Sequence, residues 1–170
     1  ALNSTAFAKR NQGQNPSAET LTADEQADLV HLHEEEKLAR DVYRHLFDTW
    51  GQWVFDSVAA SEQRHMDSVK ALLDRYGIED PVGADVEGVF VNDNRQALYN
   101  SLATTGDDTD VKALWVGATI EDLDIYDLQH MLAHTAKTDL ISVYENLMKG
   151  SRNHLRSFCG LLETMSETYA

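Results

Sequence analysis

Apolar positions recur at helical spacing through four long stretches of the chain. Residues at i, i+3, i+4 and i+7 share one face of a helix. By that rule residues 23–50, 56–76, 109–134 and 138–168 each carry one apolar stripe. Thr22 followed three residues later by Glu25 is a capping-box pattern that starts the first helix. Gly51 ends that helix and Gly77 ends the second. The first stripe runs Leu29, Leu32, Glu36, Ala39, Tyr43, Leu46 and Trp50, and the second Phe55, Val58, Glu62, His65, Val69, Leu72 and Tyr76. The third runs Leu114, Gly117, Glu121, Asp124, Leu128 and Met131, and the fourth Tyr144, Leu147, Ser151, His154, Phe158, Leu161 and Met165.

The links between the first and second helices and between the third and fourth are short, so each pair is expected to be antiparallel. Residues 78–108 are a long connection with Pro81, Gly83, Gly88 and a short helical piece near Arg95–Ala103. The pattern predicts an all-α four-helix bundle, with a long crossover between the second and third helices that carries a short extra helix. Residues 1–21 are polar and lack periodicity, which predicts a flexible arm before a single domain at 22–170.

Each stripe is apolar except near its middle, where it presents an acid, an imidazole or a hydroxyl. An unpaired carboxylate in an apolar interior is costly. Several at one level make sense around a cation, which neutralises them and uses their lone pairs. Glu62-x-x-His65 places an oxygen and a ring nitrogen on one side of a helix. Asp28-x-x-His31 and Asp127-x-x-His130 have similar spacing off the stripes, so spacing alone is a weak signal. The bland alternatives stay open. Glu36 then lies at the edge of a solvated face with Glu34 and Glu35, and Glu62 and His65 form a metal-free buried pair. Asp124 is then one more surface acid, and His154 packs structurally. Tyr43 and Tyr144 read either as core residues or as hydrogen-bond donors to a ligand. His33, one turn before Glu36, is a further candidate.

Composition narrows the partners. Of the 170 residues 42% are apolar and 25% charged, and the net charge is −15. That acidity disfavours nucleic acid and anionic membrane and suits cations. Cys159 is the single cysteine, which excludes an intrachain disulfide and a cysteine-based metal site. No stretch approaches the ~20 apolar residues of a membrane span. The expectation is a soluble protein, either cytoplasmic or exported with a leader removed.

The motifs in combination resemble a known family. EEEKLARDVY, which contains Glu36, is similar to the first helix of rubrerythrin-type proteins. SEQRHM, with Glu62 and His65, resembles their Glu-x-x-His helix, and GATIEDLDIYDL, with Glu121 and Asp124, resembles their third. KGSRNHLRSF, with His154, is similar to a branch of ferritin-like domains. The resemblance implies a ferritin-like, rubrerythrin-type di-iron bundle without a rubredoxin module. It implies two iron ions, with manganese as an alternative, held by Glu36, Glu62, His65, Glu121, Asp124 and His154. It further implies ferroxidase- or peroxidase-type reaction with dioxygen or peroxide, electrons from an external donor or the substrate metal, and a homodimer. One departure stands out: Ser151 occupies the place of the acid three residues before His154. Either Asp124 replaces that acid or the second metal site is weak. The alternative function is thus a non-catalytic metal-binding or structural bundle with a depleted second site. Gly150 is expected to loosen the fourth helix there.

Overall fold

Thr22 Oγ1 accepts the Glu25 N–H at 3.1 Å while Glu25 Oε2 accepts the Thr22 N–H at 2.8 Å, so the first helix starts at a complete capping box. The computed structural model describes residues 20–165. It contains α1 (Ala23–Trp50), α2 (Trp53–Tyr76), α3 (Asp93–Gly106), α4 (Asp110–His134) and α5 (Thr138–Thr164). Among the described residues there is no strand, so the protein is an all-α helical bundle. Gly51, at φ 64°, closes α1 in the left-handed region that a glycine enters without strain. With only Gly51 and Gln52 between the helices, α2 starts at Trp53, earlier than the stripe alone predicts. α5 ends at Thr164, and the rest of the predicted helix to 168 lies outside the described residues beyond Met165. The predicted arm falls outside them too, except for Thr20 and Leu21. Leu21 is buried with Leu29, Leu72 and Leu140, because the cap at Thr22 fixes the chain entering α1.

Helix α1 packs on α2 and α4 on α5, and the two pairs meet through α1–α4 and α2–α5. Contact partners count in opposite directions along α1–α2, α1–α4 and α2–α5. Glu36 meets His65 and Arg40 meets Gln63 across α1–α2. Tyr43 meets Gly117 and Glu25 meets Thr135 across α1–α4. Tyr76 meets Asp139 and Glu62 meets His154 across α2–α5. Neighbours among these four helices are therefore antiparallel, α2 and α4 run in the same direction, and α3 runs parallel to α1, with Arg95 at His31 and Asp107 at His45. The chain from Gly77 to Thr109 must travel the length of the bundle to start α4, which is why it is long.

That crossover is fastened to α1 by a buried charge network. Arg40 forks onto Asp85 at 2.5 and 2.9 Å, and its Nε donates to Asp41 Oδ1 at 2.9 Å. Lys37 pairs with Asp41 and donates to the Val86 carbonyl, while the Gly88 N–H donates to Asp41 Oδ2 at 3.0 Å. Lys37, Arg40 and Asp41 are buried, and buried charges persist only when paired in this way.

The apolar core is in two parts. One contains Ala39, Val42, Leu46, Phe55, Leu114 and Phe158. The other contains Leu29, Leu32, Val69, Leu72, Leu128 and Leu147. A polar layer lies between them. No helix among the described residues is long and apolar enough to cross a membrane.

Candidate metal centre

The middle of each stripe faces the bundle axis at one level. Glu36, Glu62 and Glu121 are fully buried, and His65 and His154 reach the same layer from α2 and α5. Their donor atoms form two triads, Glu36–Glu62–His65 and Glu62–Glu121–His154, each with all atoms within 4.8 Å of one another. Glu62 belongs to both. His65 Nδ1 lies 2.5 Å from Glu62 Oε2 and 3.2 Å from Glu36 Oε2. His154 Nδ1 lies 2.8 Å from Glu62 Oε1 and 3.3 Å from Glu121 Oε2. Neither contact to Glu62 has hydrogen-bond geometry, so both its oxygens lack a partner of that kind, as does Glu36 Oε1.

The donor set fits a pair of metal ions. Adjacent ligand atoms at right angles on an ion held at ~2.1 Å are about 3 Å apart, and the measured separations bracket that spacing. The electrostatics agree. Burial pushes Glu36 up to about 8 and Glu121 up to about 7. Burial would also raise Glu62, but His154 and His65 outweigh it and hold Glu62 down at about 2. Burial lowers the imidazoles, yet Glu36 and Glu62 raise His65 to about 11, and Glu121 and Glu62 raise His154 to about 9. Without metal, protons on the rings supply the positive charge that the layer requires.

Neighbouring residues set these side chains in place. Tyr43, fully buried between Phe55 and Phe158, donates to Glu121 Oε1 at 2.6 Å and to the Gly117 carbonyl at 3.2 Å. Burial and Glu121 push its phenol well above its usual range, so it remains a donor. Gly150 leaves room for a ring: a Cβ there would sit 2.6 Å from His65 Nε2. Helix α5 runs unbroken through Gly150, so the expected loosening is corrected; the missing side chain accommodates His65 instead. Ser151 is buried and donates to the Leu147 carbonyl at 3.3 Å, offering nothing to the centre.

Other expected residues fall elsewhere. Asp124 is 1% exposed on the face of α4 that carries Glu121, with neither oxygen partnered, but belongs to neither triad. Burial, then Glu35, Glu36, Glu121 and Glu62, pushes its carboxyl well up. The Tyr144 hydroxyl has no hydrogen-bond partner and sits in the half of the core near α5's start, so it touches no ligand. His33 is buried 3.2 Å from Asp80 of the crossover, away from both triads. Sequence reasoning placed Glu35 on a solvated face, whereas it is buried at 7% exposure. The available signal was that Leu38 and Val42 share a helical face with Glu35. His31, Glu35 and Asp127 form a third, more exposed group that the stripes did not pick out.

Fold and site together define an all-α bundle with two carboxylate–imidazole triads joined by a shared glutamate. The chain belongs to the DUF2202 family, described as an uncharacterized protein domain, whose model matches residues 25–170. It is 50% identical over 149 residues to uncharacterized protein MJ0754 from Methanocaldococcus jannaschii, spanning 88% of this chain and 80% of the relative. The crystal structure of hypothetical protein MJ0754 from Methanococcus jannaschii DSM 2661 is similar at TM-score 0.88 and 47% identity, over 92% of this chain and 90% of that one. A DUF305 fragment from Deinococcus radiodurans shares the fold at TM-score 0.64 and 18% identity, over 85% of this chain and 99% of that one. These findings correct the ferritin-like, rubrerythrin-type assignment: the family whose model matches is DUF2202, and a DUF305 fragment is among the structural neighbours. The motifs misled because an acid on one helix and Glu-x-x-His on the next put oxygen and imidazole donors at one level of any bundle.

Proposed function

We propose that the protein is a carboxylate–histidine metalloprotein that holds two ions, iron or manganese, and reacts with dioxygen or peroxide in ferroxidase or peroxidase fashion. The observation that carries this reading is Glu62: wholly buried, with neither oxygen in a hydrogen bond and each facing the Nδ1 of a different imidazole. A carboxylate so placed needs positive charge on both sides. Glu36, Glu62 and His65 would hold one ion, and Glu62, Glu121 and His154 the other. An oxygen-rich set with one imidazole per ion favours iron or manganese over zinc or copper. Redox-active ions bound there would supply electrons to dioxygen or peroxide.

The chain's own residues orient and shield the layer. Tyr43 fixes Glu121, Gly150 makes room for His65, and the two apolar cores keep water out above and below. His154 borders a surface groove of about 440 Å³ between α2 and α5, lined by Trp53, Val54, Val58, Ser61, Arg64 and Leu161 among others. That lining carries no acid and suits a small neutral oxidant.

The test is anaerobic Fe(II) titration followed by stopped-flow absorbance and oxygen consumption. Uptake of about two Fe(II) per chain, then oxygen consumption lost in Glu62→Ala, is expected. Uptake without an absorbance change or oxygen consumption overturns the redox reading. It would favour the second reading, a non-catalytic metal-binding bundle. Ser151 is the observation behind that reading, since its hydroxyl is spent on Leu147 and the centre has three carboxylates. Metal would then raise the melting temperature without turnover.

A further inference from the structure

Two buried carboxylates outside the two triads keep oxygens that make no hydrogen bond. Asp124, 1% exposed, has both oxygens unsatisfied, and Glu35, 7% exposed, has Oε2 unsatisfied. They line one cavity of about 130 Å³ between α1, α3 and α4, otherwise walled mainly by Leu38, Leu98 and Ile120, with Arg95 also on its lining. Each carboxylate faces two ways. Asp124 lines the cavity together with Glu35 and lies one turn of α4 from Glu121 of the centre. Glu35 Oε2 also lies 3.4 Å from His31 Nε2, which is 3.2 Å from Asp127 Oδ2. Acidic groups therefore continue from the surface group His31–Glu35–Asp127, through Asp124, to the buried layer.

A burial of this kind is unfavourable unless something positive uses it. Arg95 supplies part of that charge at the outer end, where its Nη2 sits 2.9 Å from His31 Nδ1. It comes from a different helix, α3, and is half-buried there. The α2–α5 groove has the opposite character, with Arg64 and no acid in its lining.

We propose that the cavity between α1, α3 and α4 is a transit site for a divalent cation: His31, Glu35 and Asp127 capture the ion, and Asp124 passes it to the centre. This rests on the metalloprotein reading above and adds the route by which that centre is filled. Cations and neutral oxidants then reach the centre from opposite sides of the bundle.

The test uses the full metal-free chain and cobalt(II) alone, followed by stopped-flow d–d absorbance and by the final number of ions bound. Asp124→Asn and Glu35→Gln are expected to slow loading at least ten-fold while the final stoichiometry and spectrum match the wild type. Arg95→Gln is expected to speed it. Wild-type loading rates in both carboxylate variants overturn the proposal and assign entry to the α2–α5 groove. A reduced final stoichiometry in Asp124→Asn also overturns it, by making Asp124 a ligand of the centre. If circular dichroism shows that Asp124→Asn is unfolded, Glu35→Gln at the mouth decides alone. A wild-type chain that binds no cobalt overturns the metalloprotein reading itself, a result distinct from the others.

Discussion

Glu62 and Tyr43 carry most of what is particular to this interior. The Tyr43 hydroxyl holds Glu121 from the side opposite His154. Tyr43→Phe leaves the ring packing and removes that bond. Groups that orient a ligand are worth about 10–100-fold in metal affinity, so one ion is expected to weaken by that amount and the other hardly at all. Isothermal titration with Mn(II) resolves the two steps, and equal weakening of both would contradict the geometry. Periodicity identified the faces of both Tyr43 and Tyr144 but not their height. Ten residues of helix, about 15 Å, separate Tyr144 from His154, and its charged neighbours are Asp28, Glu25 and Asp139. The same blindness affected Glu35, whose burial depends on α3, a helix that local spacing cannot position.

Among the helices, α5 approaches α2 closely because Gly150 has no side chain. Gly150→Ala would press a methyl against His65 Nε2. Overpacking of this kind costs about 1–3 kcal/mol, and the Glu36–Glu62–His65 triad should lose its ion before the other. Urea unfolding and metal stoichiometry measure the two effects. The crossover offers a second check. Asp41→Ala leaves Lys37 and Arg40 buried against Asp85 alone, and breaking such a network costs about 3–5 kcal/mol. A urea midpoint close to the wild type would show that the crossover is held some other way. Helix ends were legible from Thr22, Gly51 and Gly77, whose capping chemistry is local. The clamp was not, because its partners Asp85, Val86 and Gly88 lie on the crossover, whose path local spacing does not set.

Taken together, the titrating groups set a pH dependence for the metal-free bundle. Glu36 at about 8 and Glu121 at about 7 keep protons that an unfolded chain releases near ~4.3. The native state binds more protons there, so stability falls as pH rises through that range. His65 and His154, raised to about 11 and about 9, contribute stability that is complete below ~6.5 and fades as pH climbs through 9 to 11. Glu62, held near 2, acts in the opposite sense and only in strong acid. The metal-free melting temperature should therefore decline from pH 5 to pH 9. A flat or rising profile by circular dichroism would be at odds with the buried layer. Metal should reverse the trend, because ligands must shed protons to bind it.

The sharing of Glu62 between two triads would govern how the two proposed metal positions fill. Neither position owns a complete set of donors, so occupancy of one changes the electron density and the rotamer offered to the other. Stepwise binding constants for identical ions should differ, and by thermodynamic reciprocity each ion alters its neighbour's affinity by the same factor. A chain charged with two different metals would then behave as its own species rather than as the average of the two uniform ones.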